Sequence, residues 1–115
     1  MKCFHSGSGK RFLEPCLLVL LNSQADYGYN LITRLTRYGF DDSYPDVGTL
    51  YRVLRDMEQS GFITSSWKAG ESGPAKRIYS LTNAGREALN FRISILKHNL
   101  TYISLLVRDV EGESP

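Results

Sequence analysis

A mostly α-helical domain with one small β-hairpin is the fold class the sequence predicts, on three observations. Asp46 to Gly61 reads as an amphipathic helix with a polar cap at its start and a glycine stop at its end. Ile63 to Leu81 reads as two short alternating strands around the glycine-rich turn AGESGP. Asn83 to Val110 carries apolar residues at alternating steps of four and three, the pattern of a long helix with a coiled-coil-like seam. Preceded by a helix pair, these are in order the parts of a winged helix-turn-helix followed by a long C-terminal dimerisation helix.

At 115 residues the chain is one small domain with an appended helix. Its apolar and charged fractions, 42% and 23%, suit a packed core and argue against wholesale disorder. A net charge of +2 does not announce a nucleic-acid partner, so any such binding must come from a local cationic face. Cys3 and Cys16 form no cysteine framework and read as two reduced thiols. The apolar run Cys16 to Leu21 is too short to span a bilayer, and no targeting segment is visible; the expected location is the cytoplasm.

Residues 1–10, MKCFHSGSGK, read as a flexible Gly/Ser-rich arm. The first helix is expected to begin near Leu13, with Pro15 in the first turn, where a missing N–H costs nothing. Leu17 to Leu21 mark it as a core element. Asp26 then offers a cap for a second helix over Tyr27 to Tyr38, with Leu31, Leu35 and Tyr38 as its apolar stripe and Gly39 as its stop. Residues 11–82 together form the expected winged domain, 83–110 the dimerisation helix and 111–115 a polar tail.

The third helix carries the candidate chemistry. Projected at about 100° per residue, Val47, Leu50, Leu54 and Met57 share one side. Gly48, Arg52, Arg55 and Gln59 lie roughly opposite, with Thr49 on the flank. Two arginines and a glutamine hydrogen-bond base edges and phosphates, and a small residue near the helix start permits close approach. Taken alone, the same face also reads as a solvated surface with an Arg52–Asp56 pair. The hairpin shifts the balance, because Lys68, Lys76 and Arg77 sit where its arms leave the sheet. Trp67 reads as a hairpin anchor.

On the last helix Leu89, Ile93, Leu96, Leu100, Ile103 and Val107 form the seam expected to join two copies. A second strip holds Phe91, Ile95, Tyr102 and Leu106. One strip can pack on the first helix of its own chain; the other implies a partner helix, most simply from an identical chain. Phe91, Ile95 and Tyr102 could also line a site for a small apolar or polymeric effector, although aromatics there serve equally as interface packing.

Enzymatic sites are not visible. His5 and His98 lie in the arm and on the last helix, without a nucleophile–base pair. Cys3 and His5 lack a second ligand pair at zinc spacing, and GESGP lacks the GK[ST] ending of a phosphate loop. No cofactor or metal is expected.

Three stretches, YGYNLITRL, GTLYRVLRDMEQSGFI and SGPAKRIYSLTNAGREAL, resemble the PadR family of bacterial transcription regulators. The resemblance runs from about Phe12 to Leu89. It implies a winged helix-turn-helix, dimerisation through the C-terminal helix, and usually repression of transcription. RFLEPCLLVLL is similar to members described as polyhydroxyalkanoate-responsive repressors. The short C-terminal segment departs from many members, and a large separate effector domain is not expected. In the expected DNA complex Arg52 and Arg55 lead into the major groove, Gly48 and Thr49 allow close backbone approach, and Tyr29 reaches a phosphate. Lys76 and Arg77 contact backbone or minor groove from the wing. Tyr51 belongs to the DNA-binding helix by resemblance, though it could equally pack beneath it. The alternative is a winged domain that docks on a protein or granule surface without specific DNA binding.

Overall fold

The protein is described here by a computed structural model covering residues 5–70 and 73–112, of which 5–11 are described by backbone alone. Met1 to Phe4, Glu71, Ser72 and Glu113 to Pro115 lie outside the described residues, and with them Cys3, most of the turn tip and most of the tail. Along the chain run α1 (His5–Ser23), β1 (Asp26–Tyr27), α2 (Gly28–Arg34), a 3-10 turn (Leu35–Tyr38), α3 (Val47–Gln59), β2 (Ile63–Lys68), β3 (Lys76–Leu81) and α4 (Asn83–Glu111).

The core forms where the leucines of α1 meet α2 and α3. Leu17 and Leu18 of α1, Leu31 of α2, and Leu50, Leu54 and Met57 of α3 are fully buried. The α3 side chains recur at steps of four and three, which keeps them on one helix face. Val47 departs from the expected stripe: it is 59% exposed, because the first turn of α3 projects past the core. Tyr38, expected on the inner stripe of the second helix, is likewise exposed, since α2 tightens into a 3-10 turn whose shorter period rotates it outward.

Helix starts follow cap chemistry in two places and depart from it in two others. The Asp46 carboxylate accepts a hydrogen bond from the Thr49 N–H at 2.7 Å, and the Thr82 hydroxyl accepts one from the Gly85 N–H at 3.0 Å. Both satisfy N–H groups that a helix start leaves without partners. α1, however, begins at His5 rather than near Leu13, so Pro15 lies inside the helix and part of the expected arm is helical. On the turn that leads into Pro15, Leu13 is buried in the core and Glu14 is ion-paired with Arg92 of α4. These contacts offset the hydrogen bond that Pro15 cannot donate, so a proline that would mark a start is accommodated inside the helix.

Asp26 is the second departure. It lies in β1 and does not cap a helix running from Tyr27. Its buried carboxylate accepts from the Tyr27 N–H (2.8 Å), Asn30 Nδ2 (2.8 Å) and Arg34 Nη1 (2.7 Å). Arg34 Nη2 in turn donates to the Leu20 carbonyl at 3.1 Å, tying α2 to the last turns of α1.

The sheet is antiparallel, in the order β1-β3-β2. A Schellman stop delivers the chain into it: Phe62 N–H bonds the Met57 carbonyl, Gly61 N–H bonds that of Glu58, and Gly61 takes φ +83°. Ile63 and Tyr79 bury against the helices. Thr82 then joins three elements at once, its hydroxyl hydrogen shared between the Gly61 and Phe62 carbonyls at 2.6 and 3.0 Å.

α4 packs on its own domain only at its base. Leu89 is 6% exposed and Ile93 packs against the same core, so neither is available for the copy-to-copy seam expected of them. The cause is that α1 and α4 lie side by side, so the first turns of α4 complete this chain's own core. Beyond Leu96 the apolar residues emerge: Leu100 is 61% exposed, Leu106 65% and Val110 85%.

Candidate nucleic-acid interface

α3 presents its polar side to solvent. Arg52 and Arg55 are exposed, and neither forms a salt bridge among the described residues; the Arg52–Asp56 pair is not made. Arg52 instead lies near the start of the helix electrostatically. The Asp46 carboxyl is held below its ordinary pKa first by the Thr49 hydrogen bonds and further by the Arg52 charge. Burial pushes the Tyr44 phenol up, while Arg52 opposes that shift. Gly48 borders open space, with only Asp46 Oδ1 as near as 4.0 Å to where a side chain would start. The Thr49 N–H is already occupied by its cap.

Beside α3 lies an open cleft lined by Tyr27, Gly28, Tyr29, Tyr51, Trp67, Lys76, Arg77 and Tyr79. Four of the sequence-derived candidates, Tyr29, Tyr51, Lys76 and Arg77, meet here from α2, α3 and β3. Tyr51 is at the cleft, 37% exposed, and seats its ring on the backbone of Gly28. Lys76 Nζ donates to the Tyr29 hydroxyl oxygen at 3.1 Å and sits 4.9 Å from the Tyr29 ring centroid. The Tyr27 and Tyr29 rings stack at 6.1 Å, so the ammonium rests on a pair of aromatic faces.

Arg77 is held differently. Its guanidinium lies 4.9 Å from the Trp67 ring centroid, and the two residues are partners in the β2–β3 register. Trp67 is 66% exposed, so any anchoring of the hairpin is across the strands and not through the core; β2 leaves the core after Ile63 and carries the indole outward onto the arginine. Burial pushes the Tyr79 phenol above its ordinary pKa, and the neighbouring Arg77 guanidinium pulls it back. Lys68 and Lys76 face each other across the strands at the mouth of the turn.

Tyr27 and Gly28, and the role of Trp67 as a cation platform, escape a reading by residue type. The repeated aromatic in Tyr27-Gly28-Tyr29 is the signal that points to them, since a glycine between two tyrosines admits a third ring. Of the effector candidates, Ile95 and Tyr102 border a groove between α1 and α4 with Phe12, Pro15 and Leu106, whereas Phe91 lies outside it. Cys16 is half-buried, which pushes its thiol up to about 11 and keeps it protonated. No helix among the described residues is long and apolar enough to cross a membrane.

Comparison with known proteins bears on the family and the fold. The model of the "Transcriptional regulator PadR-like family" matches residues 17–90, from the middle of α1 into α4. The chain is 37% identical over 75 residues to transcriptional regulator Rv3488 of Mycobacterium tuberculosis, covering 63% of this chain and 66% of that protein. It is 30% identical over 80 residues to the probable transcriptional regulator Rv1176c of the same organism, covering 67% of this chain. The matched stretch spans only 41% of Rv1176c. In fold it is similar to Bacillus subtilis PadR, solved in complex with operator DNA, at a TM-score of 0.63 and 24% identity over 72% of this chain and 46% of that one. The cap, stop and wing residues described above all fall within residues 17–90, and on that match the chain belongs to the PadR-like family of transcriptional regulators.

Proposed function

We propose that this chain binds double-stranded DNA sequence-specifically as a homodimer and represses transcription from a pseudo-palindromic operator. One observation carries the reading: Tyr29, Tyr51, Lys76 and Arg77, from three separate elements, gather in one cleft beside the exposed arginine face of α3. In the proposed complex α3 enters the major groove with Arg52 and Arg55 toward base edges, Gly48 allows the helix start to approach, and the cleft takes the flanking phosphates. The Lys68–Lys76 register supports a polyanionic partner, because like charges directly opposite are unfavourable until a counter-charge lies near them. The operator complex of the B. subtilis relative supports the same reading by likeness of fold.

Dimerisation is proposed through the part of α4 beyond Leu96, where Leu100, Ile103 and Val107 are left exposed on a helix with little else to pack against. Two-fold pairing would present two α3 helices to half-sites roughly one helical turn, ~34 Å, or a multiple apart. Any apolar effector would enter the α1–α4 groove at Ile95 and Tyr102. The test is selection of bound fragments from genomic DNA, followed by gel-shift titration at fixed salt. A pseudo-palindromic consensus is expected, and Arg52→Ala is expected to cost ~1–3 kcal/mol on it. Failure to enrich any fragment would retire the DNA reading in favour of a protein- or granule-docking module, and an unchanged Arg52→Ala affinity would remove that residue from base contact.

A further inference from the structure

The wing holds its two cations in unlike ways, and the difference points to a role for Trp67. Lys76 is turned back onto α2, bonded to the Tyr29 hydroxyl. Arg77 instead holds its guanidinium over an indole, 4.9 Å from the ring centroid, and that indole is itself 66% exposed. An exposed indole on a hairpin gains little from burial, and what it covers is the guanidinium opposite it in register. Tyr79, two residues on along β3, lies on the same strand face as Arg77 and is buried, closing the inner side of that arrangement. A guanidinium stacks through its face and donates through its edge. Contact with Trp67 on one side and Tyr79 on the other restrains a long side chain before any ligand arrives, and a guanidinium with five N–H donors keeps others to offer a phosphate.

We propose that Trp67 is a positioning residue for DNA binding: it stacks on Arg77 and holds that guanidinium edge-on to a backbone phosphate flanking the groove occupied by α3. The inference rests on the DNA-binding reading above and adds to it a residue that touches the arginine, not the duplex.

The chain contains a single tryptophan, so its fluorescence reports the stack directly. Arg77→Ala is expected to shift the emission of the free protein, and addition of a selected duplex is expected to change the wild-type emission. In gel-shift titrations across a salt series, Trp67→Leu, which keeps apolar bulk but has no ring face, should weaken binding by roughly tenfold. It should also lower the slope of log affinity against log salt by about 0.9, the share of one phosphate. Arg77→Ala should do the same, the double variant should be no weaker than Arg77→Ala alone, and Trp67→Phe should recover most of the loss. Wild-type slope and affinity in Trp67→Leu, or a double variant that loses the sum of both, would overturn the inference while leaving DNA binding intact. A wild-type protein that retains no duplex would overturn both.

Discussion

The ring of Tyr51 lies so close to Gly28 that a Cβ at residue 28 would stand 2.6 Å from the Tyr51 hydroxyl oxygen and 2.7 Å from Cζ. The glycine is thus the seat on which an α3 side chain is aimed into the wing cleft. Its backbone needs no positive φ, since among the described residues only Gly39, Gly61 and Gly112 take one. Gly28→Ala is therefore expected to swing the flexible end of Tyr51 aside without straining the main chain. On the proposed operator, affinity should fall by about fivefold, ~1 kcal/mol. The melting temperature should move by only a few degrees. Anisotropy titration and thermal melting, run on the same preparation, separate the two effects; an equal loss in both would make Tyr51 a packing residue instead.

Gly48 offers the opposite case. Nothing but the Asp46 carboxylate comes within 4.0 Å of a side chain placed there. In the free protein Gly48→Ala should be neutral or stabilising, by up to ~1 kcal/mol, because alanine favours the helix. If α3 meets DNA by its start, the added methyl should nonetheless weaken operator binding. Denaturant midpoints that rise while affinity falls would fit; affinity that holds would move the contact further along the helix.

Asp26 sets an acid limit on stability. Burial raises its pKa, but hydrogen bonds from Asn30 and Tyr27, with the hydrogen bond and charge of Arg34, outweigh this and leave it lowered. A folded pKa below the unfolded value, ~3.9 for aspartate, contributes stability that is present above that value. The contribution is lost as pH falls through the depressed folded pKa. Asp26→Asn should cost ~2 kcal/mol at neutral pH, in the range of hydrogen bonds to charged groups. It should also flatten the decline of the urea midpoint below pH ~4. A variant with the wild-type acid profile would assign that decline to other carboxylates.

Ile103 lies on the outer half of α4, 52% exposed. If the proposed pairing along α4 holds, the wild-type chain elutes as a dimer, and Ile103→Glu should make it a monomer at micromolar concentration with little change in the unfolding midpoint of the winged domain. Light scattering on the eluted protein decides it. An intact dimer would place the contact between copies on another strip of the helix.

Features fixed by neighbours in the chain were legible in the sequence. As caps and stop, Asp46, Gly61 and Thr82 act on N–H and carbonyl groups within a few residues of themselves, and the Leu50–Leu54–Met57 stripe follows from helix geometry alone. Features fixed across the fold were not. The ion pair of Glu14 with Arg92 joins residues 78 apart, and the hydrogen bond of Lys76 joins residues 47 apart. The wing shows why register matters. Counting outward from the turn AGESGP pairs Lys68 with Ala75 and Trp67 with Lys76, whereas the strands pair Lys68 with Lys76 and Trp67 with Arg77. A slip of one residue exchanges the cation under the indole and the face on which it lies.

The junction at Thr82 has a mechanical meaning. Its hydroxyl ties the first turn of α4 to the carbonyls of Gly61 and Phe62, where α3 ends, and at Gly85 even one added methyl would meet the Phe62 oxygen at 2.1 Å. With 29 residues, α4 is about 43 Å long at 1.5 Å per residue, so each degree of tilt at its root displaces its far end by about 0.8 Å. A root pinned this tightly cannot serve as a pivot. In a pair joined along α4, the bearing of each α3 is inherited from that joint, and any signal that respaces the two must bend the shaft or slide one shaft along the other.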